Sequence, residues 1–181
     1  MKKKNHHKNE IGQDQKSYLL VKAVREGNYS AVEALLEKNF PINGGTLTGD
    51  TPLLVAVMGG DENNKMVKLL LKNGANPNLP NWAFLSSHPA VPPLQLAAAK
   101  GYTDLVRILL NYGADATIQH INKITALDLA IHINHTEIAN KLRSAMGIPL
   151  PWDAQLKKLL SKCCGCCTRN KIEFDDEKKY I

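Results

Sequence analysis

The sequence predicts an all-α solenoid of about four stacked helix pairs closed by a C-terminal capping helix. Three observations carry that reading. Alanines at Ala23, Ala56, Ala97 and Ala130 open equivalent helical patterns and stand 33, 41 and 33 residues apart. A second helical pattern with aliphatic residues on one side follows each of them, Leu-paired in the first three. Gly74 and Gly113, each followed by alanine, close two of the blocks. A period of about 33 residues built from two short helices and a turn buries its core by stacking unit on unit. Such a chain offers a groove and a row of hairpin tips, so binding is the first expectation.

Residues 1–16 read as a disordered basic leader, because MKKKNHHKNE has no apolar stretch behind its lysines. It does not read as a secretory signal for the same reason. The first block runs from Ser17 with Leu20, Ala23 and Val24, then Val32, Leu35 and Leu36. The second opens at Thr51-Pro52-Leu53, where the missing N–H of Pro52 is harmless and Thr51 can cap the helix. Its second helix carries Met66, Val67, Leu70 and Leu71 as far as Gly74. In the third, Leu94 to Lys100 stops at Gly101, and Leu105, Val106, Leu109 and Leu110 share one side of the next helix. The fourth opens at Thr125-Ala126-Leu127 and turns at Asn134, which tolerates the left-handed conformation better than most residues. Neither helix of any pair persists alone in water at these lengths, so each needs its neighbours.

These residues resemble ankyrin repeats. T51-P52-L53 with G74-A75-N76-P77-N78 follows the family signature, as does P93-L94-Q95-L96-A97-A98 with G113-A114-D115. T125-A126-L127-D128-L129-A130 follows it loosely, and the resemblance covers residues 17–146. It implies a protein-interaction module whose partner meets the hairpin tips and the exposed side of the first helices. On this chain the implied partner-binding residues are Arg25, Met58, Lys100 and His132 on the first helices. Ile121 joins them at a tip. The Lys- and Asn-rich leader also resembles, in style, small bacterial effector or parasite ankyrin proteins, some of which act inside host cells.

Eight residues are surplus between Ala56 and Ala97. The spacing of Gly74 and Gly113 assigns six to the hairpin after Asn78 and two to the turn between Gly59 and Lys65. The enlarged segment, residues 79–92, holds three prolines and must be an extended loop. Trp82, Phe84 and Leu85 on it either seal the solenoid's own surface or form an aromatic anchor for a partner. Trp82 and Phe84 therefore join the candidate partner-binding residues.

Residues 147–162 read as a linker and capping helix. Trp152, Leu156, Leu159 and Leu160 form one apolar stripe with Lys157, Lys158 and Lys162 beside it. Capping the fourth block is the main reading, and lying on a membrane is the alternative. Residues 163–181 follow as a cysteine cluster and flexible charged tail, with Cys163, Cys164, Cys166 and Cys167 within five residues. Their interleaved C-x-x-C pairs cannot easily wrap one tetrahedral zinc, so no metal site is assigned. Lipidation of these four cysteines beside Lys162 and Arg169 is the favoured reading, against an unmodified reactive tail or a metal-binding or redox-responsive one.

The net charge of +6 belongs to the ends, +3 in residues 1–16 and +3 in 157–181, while 17–156 balance. A neutral repeat body argues against nucleic acid as a partner, since phosphate affinity needs clustered Lys and Arg. Basic ends suit an anionic membrane surface. No apolar run is long enough to span a bilayer. Among the six histidines, His132 and His135 are i,i+3, yet no carboxylate or cysteine completes a recognised metal motif. There is no phosphate-binding glycine loop either. The expectation is a non-enzyme without cofactor. It is a cytoplasmic adaptor, peripherally membrane-tethered through its cysteines, or else a soluble regulator that masks a partner's surface.

Overall fold

Eight α-helices make up the regular structure among the described residues, 12–80, 91–119 and 123–149 of the computed structural model. They pair in chain order: α1 (Gln13–Arg25) with α2 (Tyr29–Glu37), α3 (Pro52–Met58) with α4 (Asn64–Lys72), α5 (Pro93–Lys100) with α6 (Thr103–Asn111), and α7 (Ala126–His132) with α8 (Thr136–Ala145). The first helices stack as one layer, α1 on α3 on α5 on α7, and α4, α6 and α8 stack in the second layer. No strand occurs among the described residues. The arrangement is the expected solenoid of four helix pairs. The expected capping helix at 152–162 and the cysteine cluster lie outside the described residues.

One boundary differs from the sequence expectation. α1 begins at Gln13, four residues before Ser17, so part of the supposed leader is helical. Gly12 at its N-cap has no side chain to accept an N–H, and the usual sequence signal for a helix start is missing. Three other starts announce themselves by a side-chain cap, those of α2, α3 and α7. Thr51 accepts from the Leu54 N–H at 3.2 Å, and Asn28 accepts from the Ala31 N–H at 3.0 Å. Thr125 and Asp128 form a reciprocal capping box.

The phased alanines mark the centre of the first layer. Ala56, Ala97 and Ala130 are fully buried and Ala23 nearly so. The carbonyls of Ala23, Ala97 and Ala130 each accept the N–H five residues on, from Asn28, Tyr102 and His135, closing the first helix of their pairs. In the second pair the connection, longer by two residues, contains a three-residue 3-10 turn, Asp61–Asn63, and displaces that amide. The Asn63 side chain replaces it, donating Nδ2 to the Ala56 carbonyl at 3.3 Å.

Neighbouring pairs are joined by polar groups as well as by packing. Asn43 donates Nδ2 to the Gly74 carbonyl at 3.2 Å and accepts from the Asn76 N–H at 2.7 Å. Asn78 repeats this one unit on, with the Gly113 carbonyl at 3.2 Å and the Asp115 N–H at 2.8 Å. Tyr102 and His135, at matching positions, lie against glycines of the preceding unit. A Cβ on Gly60 would stand 3.2 Å from the Tyr102 ring, and one on Gly101 would stand 2.8 Å from His135. Gly101 also has φ +79°, so a side chain there is disfavoured twice. α6 has no side-chain cap of its own. Asp61 of the preceding unit supplies one, accepting from the Leu105 N–H at 3.0 Å. Gln95, almost wholly buried, donates Nε2 to the carbonyls of Ile118 and Ile124 and so clasps the hairpin that follows α6.

Leu109 is fully enclosed between the layers. Leu109→Ala is expected to lower unfolding free energy by about 2–5 kcal/mol in urea titrations. Gln95→Leu strands two carbonyls and is expected to cost about 1–3 kcal/mol in the same assay.

Asp115 accepts both the hydroxyl and the backbone N–H of Thr117. Those hydrogen bonds, the hydroxyl's first, hold its carboxyl below the ordinary carboxylate value. A depressed folded-state value stabilises the fold above the unfolded-state pKa, and this is lost as pH falls through the folded one. Thr117→Val should therefore raise the Asp115 pKa in an NMR titration.

Candidate functional site

Helix α1 has a buried stripe, Leu20, Val21 and Val24, facing the core. A second stripe at helical spacing, Asp14, Tyr18, Lys22 and Arg25, is left on the side facing the first hairpin. Thr46, Leu47, Thr48 and Asp50 form the opposite wall of a groove of about 540 Å³. Tyr18 is 54% exposed and Leu47 76% exposed, so both walls carry apolar surface open to solvent. Val21 lines the space between them.

Two contacts hold the walls in place. The Arg25 guanidinium meets Asp50 at 3.0 Å. Ser17, buried in α1, lies so near Gly44 that a Cβ there would overlap its hydroxyl. Within the tip, Thr46 N–H donates to the Asp50 carbonyl at 3.0 Å and Gly49 N–H donates to the Thr46 carbonyl at 2.8 Å. The hydroxyls of Thr46 and Thr48 are 2.7 Å apart, and Thr48 donates to the Asp50 carboxylate at 3.1 Å. Leu47 is thus presented from a tied turn.

Of the residues expected from sequence, Arg25, Met58, Lys100 and His132 occupy matching C-terminal positions on α1, α3, α5 and α7, and all are exposed. Met58 is 60% exposed, an apolar group on an otherwise buried helix. Only Arg25 of the four lines the groove. Trp82, Phe84, Ile121 and Cys163, Cys164, Cys166 and Cys167 lie outside the described residues. Asp14, Tyr18, Lys22 and Asp50 were missed. The signal was the i, i+4, i+8 run of Asp14, Tyr18 and Lys22, hidden by starting the helix at Ser17.

Among the described residues, no group of three His, Cys, Asp or Glu side chains could hold a metal, and no helix is long and apolar enough to cross a membrane. The geometry can grip a chain segment, with apolar walls and charged groups at their edges.

Family comparison agrees with the stacking. A model described as ankyrin repeats (3 copies) matches residues 2–81, and one described as ankyrin repeats (many copies) matches residues 94–143. This chain belongs to the ankyrin-repeat family. That fold mediates protein–protein interaction and is a non-catalytic scaffold. Cyclin-dependent kinase inhibitor 2A of Homo sapiens is 31% identical over 128 residues, 71% of this chain and 77% of that protein. Probable E3 ubiquitin-protein ligase XBOS34 of Oryza sativa subsp. japonica is 31% identical over 140 residues. That match takes in 77% of this chain but only 26% of the rice protein. Putative ankyrin repeat protein FPV031 of Fowlpox virus is 34% identical over 169 residues, 90% of this chain and 43% of that one.

The Arg25–Asp50 pair is exposed enough to contribute little to global stability. Arg25→Ala is expected to change unfolding free energy by no more than about 1 kcal/mol. Amide exchange at Thr46 and Gly49 should nonetheless quicken relative to Ala31 and Val55, because the tip loses its tie to α1.

Proposed function

We propose that this ankyrin-repeat protein is an adaptor that captures a protein segment in the groove between α1 and the first hairpin. The single observation behind the reading is the juxtaposition of solvent-open Tyr18 and Leu47 across a groove whose walls are tied by Arg25 and Asp50. Immobilised apolar groups lose little entropy on binding, which favours affinity. Met58, Lys100 and His132 extend the exposed edge along the next three units. Trp82, Phe84 and Ile121 add tip residues in the sequence-based proposal.

The cysteine cluster completes the adaptor reading. Acylation of Cys163, Cys164, Cys166 and Cys167, helped by Lys162 and Arg169, would hold the captured partner at the cytoplasmic face of a membrane. If the chain is an exported effector, that membrane belongs to a host cell. A second reading, a soluble regulator that masks its partner, is supported by likeness to 77% of a protein named as a kinase inhibitor.

A Tyr18→Ala, Leu47→Ser double variant should keep its helical circular dichroism and melting temperature while losing affinity-captured partners at least tenfold. Unchanged capture would remove the groove from the reading. Membrane fractionation separates the adaptor from the masking regulator. Replacing the four cysteines by serine should move the protein to the soluble fraction if they are acylated, and leave its distribution unchanged if the tail is incidental.

A further inference from the structure

Given that groove as the capture site, we propose that its occupant is an extended peptide of the pattern basic–x–large apolar–x–acidic. Asp14, Tyr18 and Lys22 line one wall at successive four-residue steps. Eight residues of helix separate Asp14 from Lys22 by about 12 Å along the axis. An extended chain covers that distance in about four residues, since it rises about 3.3 Å per residue. Its alternate side chains point to one face, so positions i, i+2 and i+4 can meet Asp14, Tyr18 and Lys22 together. Leu47, on the facing wall, closes over the central apolar side chain.

The charges select the outer positions. Arg25 and Asp50 neutralise each other at 3.0 Å. Asp14 has no ion pair among the described residues. Among the described residues Lys22 pairs with Glu26 alone, at 3.9 Å with both side chains 55% exposed, a contact a bound carboxylate can displace. The wall therefore offers one acceptor and one donor flanking an aromatic ring. Charges of this kind set partner choice and register more than raw affinity.

The test uses the full chain, 15N-labelled, and three acetylated, amidated heptapeptides followed by NMR titration. The first is Ala-Lys-Ala-Phe-Ala-Glu-Ala; the others carry Lys at both charged places or Glu at both. The mixed peptide should bind about tenfold or more tightly than either control, a difference of about 1.4 kcal/mol, with shifts at Tyr18, Lys22, Leu47 and Thr48. Asp14→Lys should transfer the preference to the Glu/Glu peptide and Lys22→Glu to the Lys/Lys peptide. Both positions are exposed, so each variant should keep its melting temperature. Equal binding of all three peptides in the groove would overturn the charge pattern and leave the capture site standing. Absence of groove shifts with every peptide would overturn both. Concentration-dependent shifts at the same residues without peptide would assign the groove to a second copy of the chain and also overturn the proposal.

Discussion

The close approach of the first helices at Ala56, Ala97 and Ala130 is the constraint on which everything else rests. Each is fully buried on helices that stack in one layer, α3 on α5 on α7. Larger residues there would force strain of about 1–3 kcal/mol by overpacking. That spacing brings each unit within hydrogen-bonding reach of the next. It permits the Asn43 and Asn78 bridges, the Tyr102 and His135 rings on glycine, and the Asp61 cap on α6. Helices of seven to nine residues would not persist otherwise. Tertiary contact makes the secondary structure here.

Local signals were legible and distant ones were not. The alanine period, Thr51, Pro52, Gly101 and Asn134 each act within a few residues of themselves, so their meaning is written beside them. The two surplus residues after Gly59 were countable, but not that they place Asp61 beside Leu105, 44 positions away. The groove had the same difficulty, because its walls meet through Arg25 and Asp50, 25 residues apart. Arg25 was visible as a first-helix residue, but nothing in the sequence put it beside the hairpin that carries Leu47 and Asp50. Asp14 was hidden by Gly12, a helix start without a side-chain cap. Sequence reasoning favoured Trp82 and Phe84 for their bulk, whereas Tyr18 is an aromatic group on a regular helix and drew no notice.

The repeat body is balanced in charge, and its surface works by local pattern instead of net field. Arg107 with Asp104 and Lys141 with Glu137 lie on single helices, three or four residues apart, where they neutralise one another. Arg25 is different, since its partner belongs to the following hairpin. One exposed ion pair of this kind contributes little energy but fixes the direction of a loop. Stability is therefore carried by the buried aliphatics, while the exposed ion pair sets where the first hairpin lies.

The Asp61 cap gives the solenoid a direction. α6 receives its N-terminal acceptor from the turn before α4, while α3 and α7 receive theirs from Thr51 and Thr125 immediately beside them. Unit three thus depends on the prior shape of unit two for the start of its second helix. Opening the array between these units would expose an uncapped helix on one side only. Fraying from the two ends is consequently unequal: loss of unit four leaves α6 capped, whereas loss of units one and two removes the cap with them.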